Sequence, residues 1–142
     1  MRVDFYQLSR DPVEKVTALL AGKVVDSGGR LLVVSDEAGQ LDRVEEALWA
    51  AHPPEFLANG RADAAHAERQ PILLSATCDA ANEARMILFA DGKWREEARQ
   101  FDRAFLLFDD STIEQARSLW REMDGQERNF WKQDGARWVK AA

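Results

Sequence analysis

Four runs of apolar residues limit what this chain can fold into. They are Leu31-Leu32-Val33-Val34, Ile72-Leu73-Leu74, Met86-Ile87-Leu88-Phe89 and Ala104-Phe105-Leu106-Leu107-Phe108. A strand with one wet face alternates apolar and polar side chains. A strand covered on both faces does not, and such strands belong to parallel sheets flanked by helices. Between the runs, apolar residues recur at helical spacing: Val13, Val16, Leu20 and Val24, then Leu41, Val44 and Leu48, then Ile113, Ala116, Leu119 and Met123. This alternation predicts an α/β layered fold, a sheet with helices on its faces.

Local signals set the expected boundaries. Val3, Phe5, Tyr6 and Leu8 open the chain as a strand. Asp11-Pro12 reads as a helix start, with Asp11 as N-cap, Pro12 in the first helical position and Glu14 reaching back to the cap. The helix over 12–27 ends at Gly28-Gly29. A second helix is expected over 37–51, with Gly39 inside it. Residues 52–69 read as a long loop, in which His52-Pro53-Pro54 stops the helix and Asn59-Gly60 marks a turn. The stretch between the second and third apolar runs is short for a helical crossover, so one of the two is expected to pair antiparallel or lie at an edge. Asp91-Gly92 is a turn and 94–101 a short helix. Ser111 and Glu114 form a capping box for a helix reaching Met123 and closed by Gly125. Phe130, Trp131 and Trp138 mark a last short strand, and no linker divides residues 1–142 into two domains.

Composition excludes several classes. With 142 residues, 46% hydrophobic and 31% charged, the chain can bury a full core. Four prolines and eight glycines exclude collagen-like and low-complexity chains. No apolar run approaches the roughly 18 residues of a membrane helix, and Asp4 and Gln7 interrupt any signal-type apolar region. The single cysteine, Cys78, cannot form an internal disulfide, which fits a reducing, cytoplasmic setting. A net charge of −6 argues against strong direct binding to nucleic acid and gives no hint of membrane affinity, although a local basic patch is compatible with it.

Catalytic signatures are sparse. The turn after the first strand, Ser9-Arg10-Asp11-Pro12, lacks glycine, and Ser35-Asp36-Glu37 after the second would repel phosphate, so no dinucleotide cradle is expected. Asp109-Asp110, after the apolar run 104–108, has two readings. It could hold Mg²⁺ in a metal-dependent phosphoryl-transfer or nucleic-acid-processing enzyme, or it could favour the positive end of the following helix. His52, His66 and Cys78 lack metal-site spacing, and Cys78 has no visible base beside it. The expectation is no catalytic constellation, no cofactor and no metal.

Two surfaces stand out instead. On the late helix, Trp120 falls at the border of the buried stripe, and Arg117 and Arg121 lie just outside it, four positions apart. An indole flanked by guanidiniums suits a peptide bearing an aromatic ring and a carboxylate. Equally, Trp120 could be a core-edge residue whose arginine neighbours are satisfied by Glu114 or Asp124. The second surface is Trp49 with Phe56 and Leu57, either an interface or a satellite core over the sheet edge.

The chain resembles the chi subunit of bacterial DNA polymerase III holoenzyme. The resemblance rests on Val3-Asp4-Phe5-Tyr6-Gln7-Leu8, on Glu46-Ala47-Leu48-Trp49 followed by Pro53 and Phe56-Leu57, and on Pro71-Ile72-Leu73-Leu74. It extends to the segment 105–111 and the tail from Phe130 to Trp138. It implies a Rossmann-like three-layer sandwich with a mostly parallel sheet and no nucleotide site or catalysis. It implies an adaptor in the replisome that binds the acidic, Phe-ending tail of single-stranded DNA-binding protein and, where present, the psi subunit, linking to the clamp-loader complex. The tail site maps to Arg117, Trp120 and Arg121, with Leu106 as an apolar wall; the psi-facing residues map to Trp49, Pro53, Phe56 and Leu57. Trp120 and Arg121 stand where relatives also carry Tyr and Lys, and Ala58-Asn59 replaces a common Pro-His.

Overall fold

The computed structural model describes residues 1–51 and 57–142. In chain order the elements are β1 (Arg2–Gln7), α1 (Val13–Asp26), β2 (Leu31–Val34), α2 (Gln40–Ala51), β3 (Asn59–Arg61), β4 (Ile72–Ser75), β5 (Met86–Phe89), β6 (Arg103–Phe108), α3 (Ile113–Glu122), β7 (Glu127–Asp134) and β8 (Arg137–Lys140). Among the described residues all strands form one sheet, in the order β3-β4-β2-β5-β6-β1-β7-β8. Every neighbouring pair is parallel except the β7–β8 hairpin. No described helix is long and apolar enough to cross a membrane.

The apolar runs are covered on both sides, as expected. Leu31, Val33, Ile72, Leu74, Leu88, Phe105 and Leu107 pack with Val16, Leu20 and Val24 of α1 and with Val44 and Leu48 of α2. Their alternates, including Leu32, Val34, Leu73, Ile87, Phe89 and Leu106, pack with Ala116, Leu119 and Met123 of α3. The period of two divides each run between two cores, and the result is a Rossmann-like three-layer sandwich in a single α/β unit. Asp4, fully buried on β1, accepts from Arg103 Nε on β6 at 2.6 Å and Asn129 Nδ2 on β7 at 3.0 Å. The carboxylate thereby ties three strands together.

Several boundaries differ from the sequence reading. The segment 52–69 is not one loop: it holds β3 and a 3-10 turn at Ala67–Arg69, and Asn59-Gly60 lies in β3 instead of a turn. An edge strand this short pairs through its backbone alone, so it leaves no apolar signature. β4 and β5 are neither antiparallel nor at an edge, because they flank β2 in parallel. The connection needs no helix. It crosses the start of β2, where buried Asn82 donates to the Gln70 carbonyl at 2.9 Å and accepts from Ala84 N–H at 3.2 Å. Gly39, with φ +77°, precedes α2 and is not inside it. Buried Gln40 starts that helix, receiving the Ser35 hydroxyl and donating to the Ala90 carbonyl at 2.9 Å. Within 94–101 the helix is a 3-10 segment, Glu96–Gln100, and the tail forms two strands, not one.

Both expected caps are replaced. Asp11 makes no cap: its carboxylate accepts from Gln133 Nε2 at 2.6 Å, and Glu14 lies 3.5 Å from Arg43 on α2. The Ser111–Glu114 box does not form either. Asp109 accepts from the Ser111 N–H at 2.9 Å, starting a 3-10 turn (Asp110–Thr112) that leads into α3, while Glu114 meets Arg117 at 3.1 Å. Asp109, two positions upstream, accepts the Ser111 N–H that Glu114 was expected to reach.

Candidate functional site

α3 follows the 3-10 turn that Asp109 caps, and beyond its end Gly125, whose φ of +94° favours glycine, turns the chain into β7. This hairpin-like path lays β7 beside β1 and brings three aromatic side chains together. Trp120 meets Phe5 of β1 at 5.3 Å and Phe130 of β7 at 5.6 Å between ring centroids, nearly perpendicular to each. Phe5 and Phe130 stack on one another at 6.0 Å. Edge-to-face contacts of this kind fix ring orientation as well as burying area. The indole is therefore held, yet Trp120 stays half-buried instead of entering the core.

Arg117 and Arg121 occupy the same helix flank and remain exposed. Arg117 Nη1 lies 3.1 Å from Glu114 Oε1, both groups facing solvent. Arg121 Nη2 donates to the Ser118 hydroxyl at 3.3 Å and has no acidic partner among the described residues. Leu106 belongs to the apolar cluster that Trp120 and Phe130 pack against, but only 1% of its surface is exposed. It lies beneath the site, not beside it.

Arg128, at the start of β7, completes this surface and has no counterpart in the sequence reading. Its guanidinium carbon sits 4.1 Å from the Trp120 ring centroid. Its Nη1 donates to the Trp120 carbonyl, and its Nη2 is 3.5 Å from Asp124 Oδ1. Eight positions separate Arg128 from Trp120 across a turn, so no helical periodicity links them.

Trp49 and Leu57 lie in the α1/α2 layer, across the sheet from Trp120. Trp49 is 54% exposed near the end of α2, and Leu57 is partly buried against the core of that layer. Pro53 and Phe56 fall outside the described residues, as does His52.

The ends of the parallel strands form a cleft of about 570 Å³, the usual ligand position of open α/β sheets. Here the chain fills the anion position itself. Gln133 Oε1 accepts from the backbone N–H groups of Ser9, Arg10 and Asp11 at 3.3, 3.0 and 3.2 Å. The rim carries Arg10 against Asp11, Glu37, Asp91 and Asp109, a balance that disfavours phosphate. Asp91 is held below the usual carboxylate range: burial pushes it up, but bonds from Arg95 and from the Asp36 and Lys93 backbones outweigh that. Asp109 is engaged by the Ser111 N–H and hydroxyl, and no cluster of three or more metal-ligating side chains occurs among the described residues. Burial, with Glu97 nearby, pushes the Cys78 thiol up, away from the reactive thiolate.

A search of curated proteins finds no match. The family model described as DNA polymerase III chi subunit, HolC, matches residues 1–130 of the 142. The matched span runs from β1 through α3 to Phe130, and so includes the whole aromatic cluster. By that match the chain belongs to the DNA polymerase III chi subunit family, accessory subunits of the replicative polymerase.

Proposed function

We propose that this chain is a non-catalytic adaptor of the polymerase III holoenzyme, working in the cytoplasm, that docks the acidic C-terminal tail of single-stranded DNA-binding protein on α3. Arg117 and Arg121 receive carboxylates, Trp120 packs against the terminal aromatic ring, and Leu106 supports the floor. The observation that carries this reading is the state of Trp120, fixed by Phe5 and Phe130 yet open to solvent beside two exposed arginines. A prepositioned aromatic loses little entropy on binding. Burying one ring contributes roughly 1.5–3 kcal/mol, and micromolar affinity needs about 8 kcal/mol, so charged contacts supply much of the rest.

A calorimetric titration with a short acidic peptide ending in Pro-Phe tests this. The wild-type chain should bind it, and Arg121→Ala should weaken binding about tenfold, the effect of losing one charge-assisted bond, with little change in thermal stability. Unaltered affinity in a folded Arg121→Ala chain rejects the site. In the same reading the Trp49–Leu57 surface, with Pro53 and Phe56, takes the psi subunit and so joins the clamp-loader complex. Leu19 on α1 is also exposed in that layer, at 44%.

A further inference from the structure

We propose that Arg128 is the receptor for the peptide's terminal carboxylate, and that Asp124 occupies this receptor in the unbound protein. The inference rests on the tail-docking reading of α3 and assigns a residue to its most specific contact.

The three arginines of the surface differ in order. Arg117 is 52% exposed at its side chain, and among the described residues the one side-chain bond of Arg121 is to a serine hydroxyl, so both must be immobilised on binding. The Arg128 side chain is 23% exposed and already fixed, its guanidinium over the indole and bonded to the Trp120 carbonyl. A guanidinium carries five N–H donors. The Trp120 carbonyl takes one from Nη1. Asp124 approaches Nη2 at 3.5 Å, longer than the about 2.7–2.9 Å of a full charge-assisted bond. Among the described residues Nε has no hydrogen-bond partner. Closing the end of α3 therefore uses only a fraction of what this side chain offers.

Geometry assigns the remainder. In a C-terminal aromatic residue the ring and the chain-end carboxylate belong to one residue. A ring packed on Trp120 places that carboxylate within one residue's reach of the guanidinium lying 4.1 Å from the same indole. Acidic side chains earlier in the peptide lie further along the chain, towards Arg117 and Arg121. Asp124 is 86% exposed and stands where the incoming carboxylate goes. An exposed ion pair of this length is weak, so it keeps the guanidinium aimed and then yields.

Calorimetry on the full chain with two acidic peptides, one ending in a free aromatic carboxylate and the other in its amide, tests this. The wild type should favour the free acid. Asp124→Asn, a surface change, should tighten free-acid binding roughly twofold to fivefold, the range an exposed ion pair accounts for, and leave the amide unaffected. Arg128→Gln should weaken the free acid tenfold or more and erase the preference over the amide, whereas Arg117→Ala should weaken both peptides and keep the preference. Free-acid affinity that is unchanged or weaker in Asp124→Asn overturns the assignment, as does a preference that survives in folded Arg128→Gln. A wild-type chain that binds neither peptide rejects the docking reading itself, and the assignment with it.

Discussion

Tyr6 is the only tyrosine in the chain, and its surroundings come from three strands. Its ring meets Trp138 at 5.2 Å, Phe105 at 6.2 Å and Trp131 at 6.3 Å. Burial, with the Asp4 carboxylate adding, pushes its hydroxyl up to about 12. Unfolded tyrosine ionises near pH 10. Between about pH 10 and 12 the folded chain thus holds a proton that the unfolded chain has released. This contribution to stability is complete below pH 10 and falls as pH rises, by at most about 1.4 kcal/mol per unit. Phenolate absorbance should titrate with a midpoint near 12 in the native protein and near 10 in urea; a native midpoint at 10 would mean that the ring is wet. Residue type and helical position made Trp120, Arg117 and Arg121 visible as candidates. Arg128 was not legible, because its contact with Trp120 exists only once the turn at Gly125 has folded β7 back along α3.

Among the elements, β7 does more than its sequence suggests. It pairs with β1 along its length and sends Gln133 into the β1–α1 turn. Removing that side chain leaves the amides of residues 9–11 without their shared acceptor and takes from Asp11 its shorter bond, leaving it Lys15 at 3.5 Å. Gln133→Ala should cost on the order of 1–3 kcal/mol, read as a lower urea midpoint, with amide exchange accelerated first at residues 9–11. Exchange that stays slow there would show that water replaces the side chain at no cost. The doubly apolar strands were readable because burial on both faces leaves no room for a polar residue. β3 was invisible, as its Asn-Gly-Arg sequence pairs by backbone alone. The caps differ for a related reason: Asp11 and Ser111 are good capping residues by type, but Gln133 and Asp109 accept the Asp11 and Ser111 N–H groups that Glu14 and Glu114 were expected to reach.

For the whole molecule, the sheet separates the two surfaces. α3 covers one face and α1 with α2 the other, so partners docked on Trp120 and on Trp49 need not touch. Effects at distant sites without shared contacts add. If the proposed docking holds, in pull-downs Trp49→Ala should lose the psi subunit and keep the tail peptide, Arg121→Ala should do the reverse, and the double variant should show the sum. Loss of both partners from either single change would mean that the surfaces are coupled through the sheet.

The glutamine lodged in the β1–α1 turn bears on how such a domain fares in a living cell. A folded state is stabilised by whatever dissolved species it captures, in proportion to how much of that species is present. These three amides already have their acceptor from within the chain, so that corner of the fold is held by one of its own side chains, whatever the surrounding solution contains in its place.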